Sequence, residues 1–177
     1  STFPANPYGV TKLACEQYAR VFYKLYGLET VSLRYFNVYG PRQSFSIENA
    51  YGGVITLFLN RLLNHLPPII YGDGEQSRDF VYVKDIAEAN IDAMNTIGAE
   101  GQVFNIGNGT PTTVNSVSKT LKTLLKSDLI DLYESPRMGE LRHGYADITK
   151  AVETLKFKPN YNLQKGLAEL VNWRQKQ

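Results

Sequence analysis

An α/β fold is predicted for this 177-residue chain from three observations. A long helical segment is followed closely by a β-branched and aromatic run. Helix-spaced and strand-like stretches then alternate to the C-terminus, and Gly or Pro marks most of the boundaries between them. No repeat, low-complexity segment or long linker interrupts the alternation, so one compact unit with several helix–strand steps is expected.

The first helix is the best specified. Asn6 suits the N-cap, Pro7 suits the first helical position, and Gly27 can close the helix in the left-handed conformation. Val10, Leu13, Ala14, Val21, Phe22 and Leu25 fall close to helical spacing, giving an apolar stripe that must bury against something. Thr30 to Tyr35 reads as a strand ending at a loop, Asn37-Val38-Tyr39-Gly40-Pro41. Val54 to Leu63 reads as a helix and Ile69-Ile70-Tyr71 as a short strand. Gly72-Asp73-Gly74 then forces a turn before the strand Phe80 to Val83, with Asp79 read as a turn residue and Asp85 as a helix N-terminal residue where a negative charge meets the helix dipole. Lys84 to Ile97 has helical spacing with Gly98 as its stop, Val103 to Ile106 reads as a buried strand, and Thr113 caps a helix running to Leu125. Asp147 is the expected cap of a run to Leu155, and a last helix covers Leu163 to Trp173.

Apolar, aromatic and charged fractions are those of an ordinary globular domain. The formal charge of +2 is spread thinly, without a basic run interleaved with aromatics, so the chain gives little support for nucleic acid as a partner. No apolar stretch approaches a bilayer span and no signal core opens the chain, so a cytoplasmic protein with no membrane partner is expected. The single Cys15 excludes an intrachain disulfide and reads as a packing residue. His65 and His143 are far apart in sequence, so no metal site is expected. Gly107-Asn108-Gly109-Thr110-Pro111 follows a strand and precedes a helix, but it lacks the third glycine of a dinucleotide fingerprint, and Pro111 removes a backbone donor. A plain turn is expected there.

The chemically informative pair is Tyr8 and Lys12, in Asn6-Pro7-Tyr8-Gly9-Val10-Thr11-Lys12. Residues four apart share a helical face, so the ammonium can sit by the phenol and favour its ionised form, as proton transfer near neutral pH requires. Such pairs also occur on many solvated helices, and the pair gains meaning from four further segments. These are Arg34-Tyr35-Phe36-Asn37-Val38-Tyr39-Gly40-Pro41-Arg42, the run from Gly72-Asp73-Gly74 through Arg78-Asp79-Phe80 to Val83, Phe104-Asn105-Ile106-Gly107, and Arg137-Met138-Gly139-Glu140 followed by Ala146-Asp147. In this order and spacing the chain resembles the C-terminal part of an extended short-chain dehydrogenase/reductase of the NAD-dependent epimerase/dehydratase family, most like the UDP-hexose 4-epimerases.

The resemblance implies the C-terminal portion of an extended Rossmann-like fold plus a smaller substrate-binding α/β region, with the N-terminal nucleotide-binding half absent. Residues 1–45 would end the dinucleotide-binding domain, and 46–177 would form mainly the sugar-nucleotide region with returning Rossmann elements. It casts Tyr8 as acid/base, Lys12 as its partner and a ligand of the nicotinamide ribose, and Tyr35 as lining the nicotinamide end of bound NAD. Asn37, Arg78 and Arg137 match positions that hold the diphosphate of a UDP-sugar, Glu140 one that meets the ribose hydroxyls, and Tyr71 one beside the uracil. Gly144 falls where a bulkier residue limits the sugar's C2 substituent, so an N-acetyl group is expected to fit.

The implied reaction is 4-epimerisation through a 4-keto sugar, with 4,6-dehydration, decarboxylation or a non-catalytic binding role as alternatives. The chain opens without Met and reads as a piece of a larger protein, expected to be a homodimer when intact and inactive as the piece alone.

Overall fold

In a computed structural model the chain is described at residues 4, 6–43, 53–139 and 141–177. Helix α1 (Pro7–Tyr26) begins where its sequence dictates. The Asn6 side chain accepts a hydrogen bond from Gly9 N at 2.8 Å, Pro7 occupies the first turn, and Gly27 ends the helix at φ 68°. Strand β1 (Ser32–Tyr35) follows and pairs in parallel with β6 (Val103–Ile106). After Phe36 the chain re-enters extended structure as β2 (Asn37–Tyr39), parallel to β5 (Phe80–Tyr82). The expected loop at 37–39 is therefore a strand, because Phe80–Tyr82 supplies a partner that no local signal announces.

Helix α2 (Val54–Leu63) and β3 (Ile69–Tyr71) fall where their spacing predicts. Strand β4 (Ser77–Arg78) pairs antiparallel with β7 (Thr112–Thr113), and β3 pairs in parallel with β8 (Leu132–Glu134). The sequence did not reveal β4, β7 or β8. Helix α3 (Val83–Asn95) stops short of Gly98, and α4 (Val114–Leu125) is capped by Thr113, whose side chain accepts from Ser116 N. Helix α5 (Thr149–Leu155) has Ile148, not Asp147, at its N-cap, although Asp147 Oδ1 still accepts from Thr149 N at 3.0 Å. Helix α6 (Leu163–Arg174) closes the chain.

Alternation along β5 divides the interior. Phe80 and Tyr82 face a core built with Phe58, Leu59, Ile70, Leu121, Leu167 and Leu170. Val81 faces the opposite core, with Ala89, Phe104, Ile106, Ala151 and Phe157, onto which Val31, Leu33 and Val38 pack. Side chains on a strand point to opposite faces in turn, so three consecutive residues can serve both layers.

The apolar stripe predicted to bury along α1 does not do so: no residue of this helix is buried among the described residues. Gly9, Leu13, Glu16, Ala19 and Tyr23 are the half-shielded positions, whereas Val10, Val21, Phe22 and Leu25 stay exposed. Cys15, read as packing, is exposed as well. Tyr23 packs closely over Gly101, where a Cβ would lie 2.2 Å from its ring, and Gly101 also sits at φ +71°. Among the described residues β1 pairs with β6 alone, so its other edge is open.

Candidate functional site

Two adjoining hollows collect most of the residues that the sequence singled out. The first is a groove of about 680 Å³ between α1 and β1, lined by Tyr8, Lys12, Glu16, Arg34 and Tyr35 with Cys15 at its side. Tyr8 is the second residue of α1 and is 70% exposed, so its phenol is presented rather than packed. Lys12 lies one turn on, with Nζ 5.3 Å from the Tyr8 ring centroid. Tyr35 reaches the groove from the end of β1, and its hydroxyl donates to Asn90 Oδ1 at 2.8 Å. Asn90 in turn donates to Ile86 O at 2.7 Å, which fixes the amide as the acceptor. Asn90 was not foreseen, since a polar residue in the middle of a helix gives no signal that it steadies an aromatic on another element.

The second hollow is a cavity of about 340 Å³ bounded by β2, the start of α2 and β3. Asn37, Tyr71, Arg78 and Arg137 all line it. Arg137 lies over the Tyr71 ring with its guanidinium carbon 4.0 Å from the centroid, a stacked cation–π contact. Asn37 is held by its backbone N–H and its side-chain Nδ2, both donating to Asp79 O at 3.0 Å. Gly144 is not among the residues lining the cavity, and Glu140 lies outside the described residues.

Asp79, expected to be a turn residue, is fully buried. Its carboxylate accepts from Asn108 N at 2.6 Å, Gly109 N at 2.9 Å and Ala146 N at 3.0 Å. The Asp79 carboxylate thus ties together the turn after β6 and the 141–146 segment, while its backbone carbonyl holds Asn37. The Gly107-to-Pro111 segment is the plain turn expected, with two of its N–H groups turned inward to Asp79 rather than toward a phosphate. Asp85, expected at a helix start, does lie in the first turn of α3, and it also accepts from Asn160 N and Tyr161 N.

The segment that carries Gly144 is fastened at several points to the turn and strand beside the cavity. Gly144 N donates to Ser77 O, Ser77 Oγ lies 3.0 Å from His143 Nδ1, and Arg142 grips Asp73 with two contacts of 2.7 and 2.6 Å. The Arg142 guanidinium holds the Asp73 carboxyl down at about 2. Because the folded value is depressed, this contact is complete above the ordinary carboxylate range and is lost as pH falls through about 2. A carboxyl carbon titration by NMR should give that midpoint for Asp73, and an ordinary value near 3.9 would contradict the pairing. No group of His, Cys, Asp and Glu among the described residues could hold a metal ion, and no helix is long and apolar enough to cross a membrane.

The arrangement is a tyrosine and a lysine one turn apart on α1, beside a parallel strand, and a cavity lined by two guanidiniums. Residues 1–107 match the NAD dependent epimerase/dehydratase family, and the chain belongs to that family. It is 42% identical over 170 residues to a putative UDP-glucose 4-epimerase of Methanocaldococcus jannaschii, a match covering 96% of this chain and 53% of that protein. Its fold is similar to the crystal structure of a UDP-glucose 4-epimerase with UDP-glucose from Thermotoga maritima, at TM-score 0.92 and 41% identity, over 98% of this chain and 55% of the other. It is equally similar to a UDP-N-acetylglucosamine 4-epimerase from Methanobrevibacter ruminantium in complex with UDP-N-acetylmuramic acid, at TM-score 0.91 and 40% identity, with the same coverage. The chain therefore spans about half the length of the relatives it matches.

Proposed function

We propose that the full-length protein is an NAD-dependent nucleotide-sugar 4-epimerase acting on UDP-hexoses, and that this chain carries its acid/base pair and its sugar-nucleotide cavity. The observation that carries the reading is the adjacency of the two hollows. Tyr35 lines the groove and Asn37 the cavity, with only Phe36 between them. A sugar held by its diphosphate in the cavity would therefore extend toward Tyr8.

In this reading Arg78 and Arg137 hold the diphosphate, with Asn37 beside them, because planar guanidiniums match phosphate oxygens in two-pronged contacts. Tyr71 faces the uracil and Glu140 the ribose hydroxyls. The donors in the groove suit the ribose end of a dinucleotide: the Lys12 ammonium, with three N–H groups and no ion-pair partner of its own among the described residues, and a phenol one turn away. NAD, when bound, supplies the acceptor and later the donor of the C4 hydride. Tyr8 takes the proton from the sugar 4-hydroxyl as C4 becomes a ketone and gives it back to the same oxygen afterwards. Lys12 holds the nicotinamide ribose and steadies negative charge on the Tyr8 oxygen, and Tyr35 lines the nicotinamide end.

Residues 1–45 are read as the end of the dinucleotide-binding domain and 46–177 as mainly the sugar-nucleotide region. The open edge of β1 and the exposed Val10, Val21, Phe22 and Leu25 of α1 support a larger assembly, completed by further sheet strands and by a second copy in a homodimer. Incubating the full-length protein with UDP-glucose and following the products by NMR tests the reaction class. Inversion at C4 with C6 oxygen retained is expected, whereas loss of that oxygen would assign a 4,6-dehydratase; a parallel incubation with UDP-glucuronic acid, if it released the carboxyl, would assign a decarboxylase.

The resemblance, rather than a cavity contact, assigns Gly144 to the position that leaves room for a C2 N-acetyl group. Among the described residues a Cβ at this position would meet only Leu141 Cδ2, at 3.0 Å, the far end of a flexible side chain, and no backbone atom. Gly144→Tyr is expected to shift the kcat/KM ratio of UDP-N-acetylglucosamine over UDP-glucose downward by about tenfold, the scale of a steric specificity contact. An unchanged ratio would sink this role.

A further inference from the structure

Tyr8, Lys12 and Glu16 follow one another at four-residue spacing and form one stripe along α1. A carboxylate one turn beyond an ammonium is an ordinary partner for it. Such a pairing here would draw the Lys12 charge away from Tyr8. The structure shows a different arrangement. Arg34 Nε donates to Glu16 Oε2 at 2.7 Å and Arg34 Nη2 to Oε1 at 2.8 Å, so both carboxylate oxygens are taken. The Glu16 side chain keeps only 12% of its exposure, which limits screening by solvent. Lys12 has no ion pair among the described residues and stays 5.3 Å from the Tyr8 ring centroid.

We propose that Arg34 is a positioning residue for the acid/base pair: by gripping Glu16 in two prongs it keeps that carboxylate from capturing Lys12 and leaves the ammonium beside Tyr8. The inference rests on the reading of Tyr8 and Lys12 as acid/base and cofactor residues. The location of Arg34 fits the role. It immediately precedes Tyr35 on β1, and Glu16 is the only charged residue among the half-shielded positions of α1, so the ion pair forms where the helix meets the strand. The groove thus holds two cations and one carboxylate, and the two-pronged geometry decides which cation the carboxylate neutralises.

The test compares parent, Arg34→Met, Glu16→Gln and the double variant of the full-length protein, with UDP-glucose as the probe substrate. Arg34→Met is expected to lower kcat about tenfold or more while KM moves less than about threefold. Adding Glu16→Gln removes the competing charge and is expected to return kcat to within about threefold of the parent. That recovery cannot come from restoring a strap between helix and strand, because the double variant lacks the strap too. A crystal structure of Arg34→Met, which needs no turnover, should show Lys12 Nζ within ion-pair distance of Glu16 and withdrawn from Tyr8.

An unchanged kcat in Arg34→Met, a double variant as slow as that single, or a Lys12 that stays in place overturns the inference. Lys12→Met, assayed alongside, separates the two levels. Full activity in that variant would bring down the acid/base reading and this inference together. A slow Lys12→Met with a normal Arg34→Met would overturn only the inference.

Discussion

Tyr8→Phe in the full-length protein is expected to lower kcat for interconversion of UDP-glucose and UDP-galactose by roughly 10²–10⁴-fold, the contribution of a positioned acid/base. KM should move far less, since the hydroxyl acts on a proton that is in flight only in the transition state. The variant removes one oxygen from a side chain that is 70% exposed and whose hydroxyl donates no hydrogen bond among the described residues. Stability should therefore stay within about 0.5 kcal/mol of the parent. Steady-state kinetics beside a thermal melt checks both halves. A kcat close to the parent's with a raised KM would mean that the phenol merely binds sugar.

The largest effect on stability is expected at Asp79. Asp79→Ala should destabilise the full-length protein by about 3–5 kcal/mol, because three N–H donors, one buried and two half-buried, lose a fully buried charged acceptor at once. The donors belong to Asn108, Gly109 and Ala146, from two segments remote in sequence from Asp79. The backbone closes tightly on this carboxylate: a Cβ on Gly107 would lie 2.7 Å from Asp79 Oδ2. Asp79→Asn is no rescue, since one acceptor becomes a donor facing donors. The shift in urea midpoint, with the slope held constant, measures the loss. A change below about 1 kcal/mol would show that backbone packing, not the carboxylate, holds these segments.

Local signals made much of the fold legible. Asn6, Pro7 and Gly27 act within a few residues of where they stand, so α1 could be bounded from composition alone, and Val54–Leu63 and Ile69–Tyr71 followed from spacing. Long-range pairing was not legible. Asn37-Val38-Tyr39 reads as the start of a turn because Gly40 and Pro41 follow, and only Phe80–Tyr82, some forty residues on, makes it a strand. Leu132–Glu134 is exposed throughout, so it carries no alternation for a pattern to reveal.

The candidate site divides in the same way. Tyr8 and Lys12 are neighbours by helical geometry, and Tyr35, Asn37, Tyr71, Arg78 and Arg137 came from segment resemblance and fall in the two adjoining hollows. The residues that hold them were hidden. Asp79 looked like a turn residue, Asn90 gave no signal at all, and Glu16 gave one unread signal, its place one turn beyond Lys12. Its partner Arg34 is eighteen positions away, and only the fold brings the two together.

The most direct test of the central claim, that the groove at Tyr8 and Lys12 removes and returns a hydride at C4, uses UDP-glucose deuterated at C4. Incubated with the full-length protein, it should yield UDP-galactose with deuterium still at C4, because the hydride stays in the site between its two transfers. Failure to form any UDP-galactose, or a product carrying solvent hydrogen at C4, would contradict the account.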